Sequence, residues 1–84
     1  MLIITEFRSI NTDRVTCIEI NTNRNGTATI YADNRVIVSG YNDAITKDIY
    51  DDIIYSITSG KKSYNVATHV SNILKKYSYK EVVL

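Results

Sequence analysis

The segment NDAITKDIYDDIIYSITS, residues 42–59, constrains the fold of this chain more than any other stretch. Its apolar residues recur every three or four positions, which is the spacing of one face of an α-helix. Because such a face must be buried, the pattern predicts a helix over 43–59 that the rest of the chain packs against. Asn42 or Asp43 would cap its start, and Gly60 would end it. The apolar face comprises Ile45, Ile49, Tyr50, Ile53, Ile54 and Ile57.

The opposite side of this helix carries a polar stripe. Its members stand at i, i+3, i+4 and i+7, so they share one face turned away from the apolar residues. We expect this face to be exposed, acidic and aromatic. It is either a simple solvated surface or a docking surface. The four residues are Asp48, Asp51, Asp52 and Tyr55.

The half of the chain before this helix is rich in β-branched residues, which favour strands. Asn25-Gly26 predicts a hairpin with a type I′ turn, and Asp33-Asn34 predicts a second tight turn. Short strands joined by tight turns form an antiparallel meander. The predicted strands are residues 2–8, 15–21, 27–32 and 35–39.

A second helix is predicted over 66–77, with Asn65 as its cap. Its apolar face is narrow. Residues 79–84, which end in Val82-Val83-Leu84, could form a fifth strand. The sequence thus predicts a single α+β domain, in which an antiparallel meander of four strands, or five, carries two helices on one face.

The composition, 44% hydrophobic and 23% charged, is that of an ordinary globular domain. No apolar run approaches the roughly 18 residues of a membrane span, and the first residues lack the basic start of a signal peptide. We therefore expect a cytoplasmic protein with no membrane partner. The abundant Ile, Asn, Lys and Tyr have A/T-rich codons, which favours a phage or mobile-element origin.

A chain of 84 residues buries a small core, and such chains often gain stability from disulfides, metals or partners. Cys17 is the only cysteine, so a disulfide within one chain is excluded. Cys17 and His69 are also too few soft ligands for a zinc site. A homodimer, formed by pairing of open strand edges, is the expected extra support.

Catalytic chemistry has little support in the sequence. Cys17 lies in a predicted strand among apolar neighbours, where it is expected to be a small buried residue. His69 lies at the edge of the apolar face of the second helix. The aspartate stripe lacks ligands converging from other elements, which a metal needs, and there is no glycine-rich phosphate-binding motif. We therefore expect no enzymatic activity, no cofactor and no metal site.

Nucleic-acid binding is the alternative function. Residues 60–84 hold five Lys and one Glu, a net charge of +4, whereas residues 42–59 hold four Asp and one Lys, a net charge of −3. Amines can neutralise phosphates, and tyrosine rings can stack on bases. The overall charge of only +1 and the acidic stripe argue against this function. The candidate residues are Lys61, Lys62, Tyr64, Lys75, Lys76 and Tyr79.

The preferred prediction is a small non-catalytic interaction or regulatory module. The acidic stripe would dock into a basic groove on a larger protein, where exposed tyrosine adds contact area. If that groove normally holds nucleic acid, the carboxylates would imitate phosphates. In its concrete form, a phage or mobile element would use the protein as an inhibitor of a host protein.

Overall fold

The computed structural model describes the backbone of residues 1–83 and the side chains of residues 1–77. Over this range the chain forms short strands, a 3₁₀ turn and two long helices. Neither helix combines the length and the apolar character needed to cross a membrane. In chain order the elements are β1 (Leu2–Ile4), β2 (Ser9–Asn11), a 3₁₀ helix (Thr12–Arg14), β3 (Ile18–Thr22), β4 (Thr27–Ala32), β5 (Arg35–Asn42), α1 (Asp43–Thr58), β6 (Ser63–Asn65) and α2 (Val66–Val83).

The strands form two sheets of three strands each. The first sheet has the order β2-β1-β6, in which β1 is antiparallel to β2 and parallel to β6. The second sheet is the antiparallel meander β3-β4-β5. The α+β class is therefore confirmed. The single meander of four or five strands is wrong, because the first predicted strand belongs to a separate sheet.

The predicted strand over 2–8 is interrupted by a turn at 5–8. The Thr5 hydroxyl accepts hydrogen bonds from the amides of Phe7 and Arg8, at 3.3 and 3.1 Å. The Thr5 amide donates to the Arg8 carbonyl at 2.8 Å. A threonine side chain that binds nearby amides competes with strand pairing, so the chain reverses here and continues as β2.

The second predicted strand, over 15–21, starts later than expected, at Ile18. The amides of Thr16 and Cys17 donate to the Asp33 carboxylate instead of to a neighbouring strand, at 3.1 and 3.0 Å. Asp33 itself has a positive φ of 55°. The tight turn between β4 and β5 therefore also anchors the segment that leads into β3.

The hairpin between β3 and β4 is where Asn25-Gly26 predicts it, but its turn is not type I′. Gly26 has a φ of +83°, whereas Asn25 does not have the positive φ that a type I′ turn requires. The Asn25 side chain instead accepts a hydrogen bond from the Thr27 amide at 3.2 Å. The side-chain bond stabilises a longer loop in place of the two-residue turn.

Helix α1 packs against all three strands of the second sheet. Ile49 and Ile53 are fully buried at its centre. The Asn42 side chain accepts from the Ile45 amide at 2.9 Å, so Asn42 is the N-cap. Gly60, with a φ of +79°, follows the C-terminus as predicted.

Helix α2 packs against α1 and β6. Asn65 caps it by accepting from the Thr68 amide at 3.2 Å. The sequence predicts that both helices cover one face of the sheet. In the structure, only α1 covers the second sheet. α2 also continues to Val83, so residues 79–83 are helical where a fifth strand was an alternative, and Leu84 lies outside the described residues.

The capping role of Asn42 gives a direct test of the N-terminal boundary of α1. Asn42→Ala should lower the free energy of unfolding by about 1 kcal/mol, because the Ile45 amide loses its acceptor. Asn42→Asp retains an acceptor oxygen at the helix N-terminus and should stay near the wild type. Urea denaturation measures both values. An equal loss in the two variants would contradict the cap.

Candidate functional site

The acidic residues of α1 border a groove between the two helices, so the stripe does not face only open solvent. The groove has a volume of about 540 Å³. Its walls combine three carboxylates from α1 with polar and basic side chains from α2. The lining residues are Asp48, Asp51, Asp52, His69, Asn72, Ile73 and Lys76.

Asp52 is the best-anchored carboxylate in this groove. Its Oδ2 accepts a hydrogen bond from the Tyr64 hydroxyl at 2.8 Å and lies 2.9 Å from His69 Nδ1. About a third of the Asp52 side chain, 32%, remains exposed. The sequence predicts that Asp52 is exposed as a partner-binding member of the stripe. Its side chain is instead only partly exposed, because this carboxylate joins α1 to β6 and α2.

Tyr64 is completely buried, with 0% of its surface exposed. Its ring stacks on the His69 ring, with centroids 4.0 Å apart and planes inclined by 23°. Burial, followed by the hydrogen bond to Asp52, raises the pKa of Tyr64 above its ordinary value. The prediction that Tyr64 could stack on bases is wrong, because its ring is packed in the core.

The other two aspartates, Asp48 and Asp51, each have one side-chain partner in the structure. The Tyr77 hydroxyl donates to Asp48, and this bond raises the pKa of Tyr77. Lys47 lies one turn before Asp51 and forms an ion pair with it, with Nζ 2.6 Å from Oδ1. The hydrogen bond with Asp51 raises the pKa of Lys47. Both carboxylates lie at the surface, where a partner can reach them.

Tyr55 is the exposed aromatic residue of the stripe, with 66% of its surface accessible. It lies one turn after Asp51 and Asp52 on α1, so the ring and the exposed carboxylate of Asp51 share one face. Tyr55 and Asp51 thus keep the character that the sequence predicts. With the exposed Asp48, they form the accessible part of the acidic-aromatic face.

The lysines predicted to bind nucleic acid do not share one surface. Lys75 borders a groove on one flank of α2, whereas Lys76 borders the acidic groove on the other flank. Lys61 and Lys62 are exposed in the segment between α1 and β6. The side chain of Tyr79 lies outside the described residues. Because Tyr64 is buried, its ring is not available to stack on bases.

His69 is the residue of the site whose role the sequence did not reveal. An aspartate that holds one ring nitrogen of a histidine can orient a general base. Among the described residues that line the groove, however, none carries a hydroxyl or thiol that His69 could activate. The Asp52–His69 contact thus joins the helices. No periodicity signals it, because the three members of the network lie on three different elements.

The placement of Cys17 and of the acidic residues bears on catalysis and on metal binding. Cys17 precedes β3 and is exposed, so the prediction that it is a buried strand residue is wrong. Within the part of the chain that the structure describes, no group of three or more His, Cys, Asp or Glu is placed to hold a metal ion.

Comparisons of this chain with models of protein families, with curated proteins and with solved structures find no match.

The raised pKa of Tyr64 predicts a loss of stability at alkaline pH. The unfolded chain releases the Tyr64 proton near pH 10, whereas the folded chain retains it, so this contribution is intact below about pH 10 and falls as the pH rises above it. In Tyr64→Phe, the free energy of unfolding should fall less steeply above pH 10 than in the wild type. Urea denaturation at successive pH values measures the slope.

Tyr55→Phe is the matched control, because it removes an exposed tyrosine from the same region. Its alkaline slope should equal that of the wild type. If Tyr64→Phe also followed the wild-type slope, the account of Tyr64 as a buried, neutral donor would be wrong.

Proposed function

We propose that this protein is a small non-catalytic interaction module that binds a larger protein through the acidic-aromatic face of α1. The observation that carries the proposal is Tyr55, a large ring that is 66% exposed beside an exposed carboxylate. A tyrosine in this setting supplies contact area at a low cost in conformational entropy, and tyrosine is enriched at binding hot spots.

The structure supports a division of roles among the four residues of the face. Asp51 and Tyr55 are both exposed and would contact the partner directly. Asp48, which is exposed and holds Tyr77, would add charge at one end of the face. Asp52 would mainly position the helix, because one of its oxygens already binds Tyr64 and His69.

The charge of this face favours a basic partner surface. Carboxylates one helical turn apart have Cβ atoms about 5–6 Å apart, so α1 presents a row of negative charges on a rigid support. A groove that holds nucleic acid displays the complementary lysines and arginines. The concrete proposal is therefore an inhibitor, encoded by a phage or mobile element, that occupies such a groove on a cytoplasmic host protein. The second part of the proposal is a homodimer, formed through a different surface.

The test is capture of a partner from a host lysate, with and without nuclease. Combining Asp51→Lys with Tyr55→Ala should abolish capture while leaving stability nearly unchanged, because both side chains are exposed. The matched control combines Lys61→Glu with Lys62→Glu, which reverses two exposed charges away from the face. This control should capture the partner as the wild type does.

Two results would contradict the proposal. Capture that survives the changes at Asp51 and Tyr55 would place the partner elsewhere on the molecule. Capture that disappears with nuclease, or with the reversed Lys61 and Lys62, would instead support the nucleic-acid alternative. Asp52 is unsuitable for this test, because its replacement would also leave the buried Tyr64 hydroxyl without its acceptor.

A further inference from the structure

A second groove lies on the flank of α2 that faces away from α1. It is larger than the acidic groove, about 900 Å³, and mostly apolar. Three parts of the fold supply its walls: the turn between β1 and β2, strand β5 and the first turns of α2. The apolar residues that line it include Phe7, Val36, Val66, Val70 and Leu74.

Phe7 at the mouth of this groove is unusually exposed. It has 85% of its surface accessible, and Val36 across the groove has 48%. The hydrogen bonds of Thr5 fix the backbone of the turn that carries Phe7, so this turn presents the ring at the surface. A large ring held in solvent beside further apolar side chains is typical of an interaction surface.

The residues on either side of Phe7 have opposite charges. Glu6 and Arg8 are exposed and line the same groove. Among the side chains of residues 1–77, neither has an ion-pair partner. The turn therefore displays the order negative, aromatic, positive, with both charges available to another molecule.

We propose that a second copy of this chain occupies the groove, in a two-fold dimer centred on Phe7. A two-fold axis reverses the direction of the turn in the second copy. Glu6 of each copy then faces Arg8 of the other, while each Phe7 ring covers the apolar groove of the opposite copy. The charge pattern is thus complementary to itself, and each ion pair forms twice.

In this two-fold dimer the two copies meet through side chains. The sequence instead predicts a dimer formed by pairing of strand edges. Strand β5 is an edge strand, but its register with β4 shifts at two places, where Ile37 and Gly40 are the additional residues. Bulges of this kind bend an edge strand and discourage pairing with another chain. We therefore expect two copies to meet through the groove and Phe7, and not through pairing of their β5 strands.

Size and charge also favour a second copy. A chain of 84 residues has a small core, and chains of this size often gain stability from association. Its net charge of only +1 means that two copies repel each other weakly. A typical interface covers about 800 Å² per partner, which is a modest part of the 5849 Å² surface of this chain.

The experiment is sedimentation equilibrium of the full chain over a range of concentrations. The wild type should reach twice its mass of 9.5 kDa. Phe7→Asp should weaken the dimer by about thirtyfold or more, because it places a charge at the centre of the contact. Glu6→Arg and Arg8→Glu should each weaken it by about tenfold, because each creates like charges at both symmetric pairs.

Combining Glu6→Arg with Arg8→Glu restores opposite charges across the axis and should recover most of the affinity. Asp51→Lys, on the α1 face, is the matched control and should leave the dimer unchanged. The dimer does not depend on the α1 face, so the two proposals can fail separately. A wild type that does not dimerise would leave the capture result intact, and loss of capture would leave the dimer intact.

Three results would overturn the inference. A wild type that stays monomeric would show that a second copy does not occupy the groove, and a different protein would then be the candidate occupant. A dimer that Phe7→Asp does not weaken would lie on another surface. Equal weakening by the single and the combined charge reversals would exclude the two-fold pairing of Glu6 with Arg8.

Discussion

The hydrogen bond between the Tyr64 hydroxyl and the Asp52 carboxylate connects the two halves of this fold. Tyr64 lies in β6, opposite Ile3 of β1 in the parallel pair of the first sheet. Asp52 lies in α1, whose apolar face covers the second sheet. The bond therefore joins the first sheet, through β6, to α1 and so to the second sheet. The buried Tyr64 hydroxyl has its acceptor only while these elements are packed together. His69 adds α2 to the same junction by stacking on the Tyr64 ring.

The parts of the fold that the sequence predicts well are those with a strong local signal. Helix α1 follows from its repeated isoleucines, and the hairpin between β3 and β4 follows from Asn25-Gly26. The first sheet has no such signal. Strand β6 is three residues long and holds two polar residues of its three, so its sequence gives little sign of a strand and its pairing with β1 makes it one. The break in residues 2–8 depends on the hydrogen bonds of one side chain, Thr5, which compete with a favourable strand composition.

In the candidate site, too, local sequence patterns do not predict the long-range contacts of single residues. Periodicity places Asp51 and Asp52 on the polar side of α1, yet it cannot tell which element each one meets. Successive residues on a helix differ by about 100° in direction, so Asp52 points towards β6 and α2, while Asp51 stays exposed beside Lys47. The burial of Tyr64 could not be predicted either, because it depends on this long-range contact. The sequence also does not predict that helix α2 separates two different surfaces. One is the acidic groove that it shares with α1, and the other is the apolar groove that it shares with β5.

The measurement that tests this account most directly is a double-mutant cycle between Asp52 and Tyr64. The free energy of unfolding is determined for the wild type, Asp52→Ala, Tyr64→Phe and the combination. If the bond joins the two halves of the fold, the two changes should be strongly non-additive, with a coupling energy of about 1–2 kcal/mol. Additive effects, with a coupling near zero, would show that Asp52 does not hold Tyr64. Asp52 would then return to the acidic face as a solvated residue.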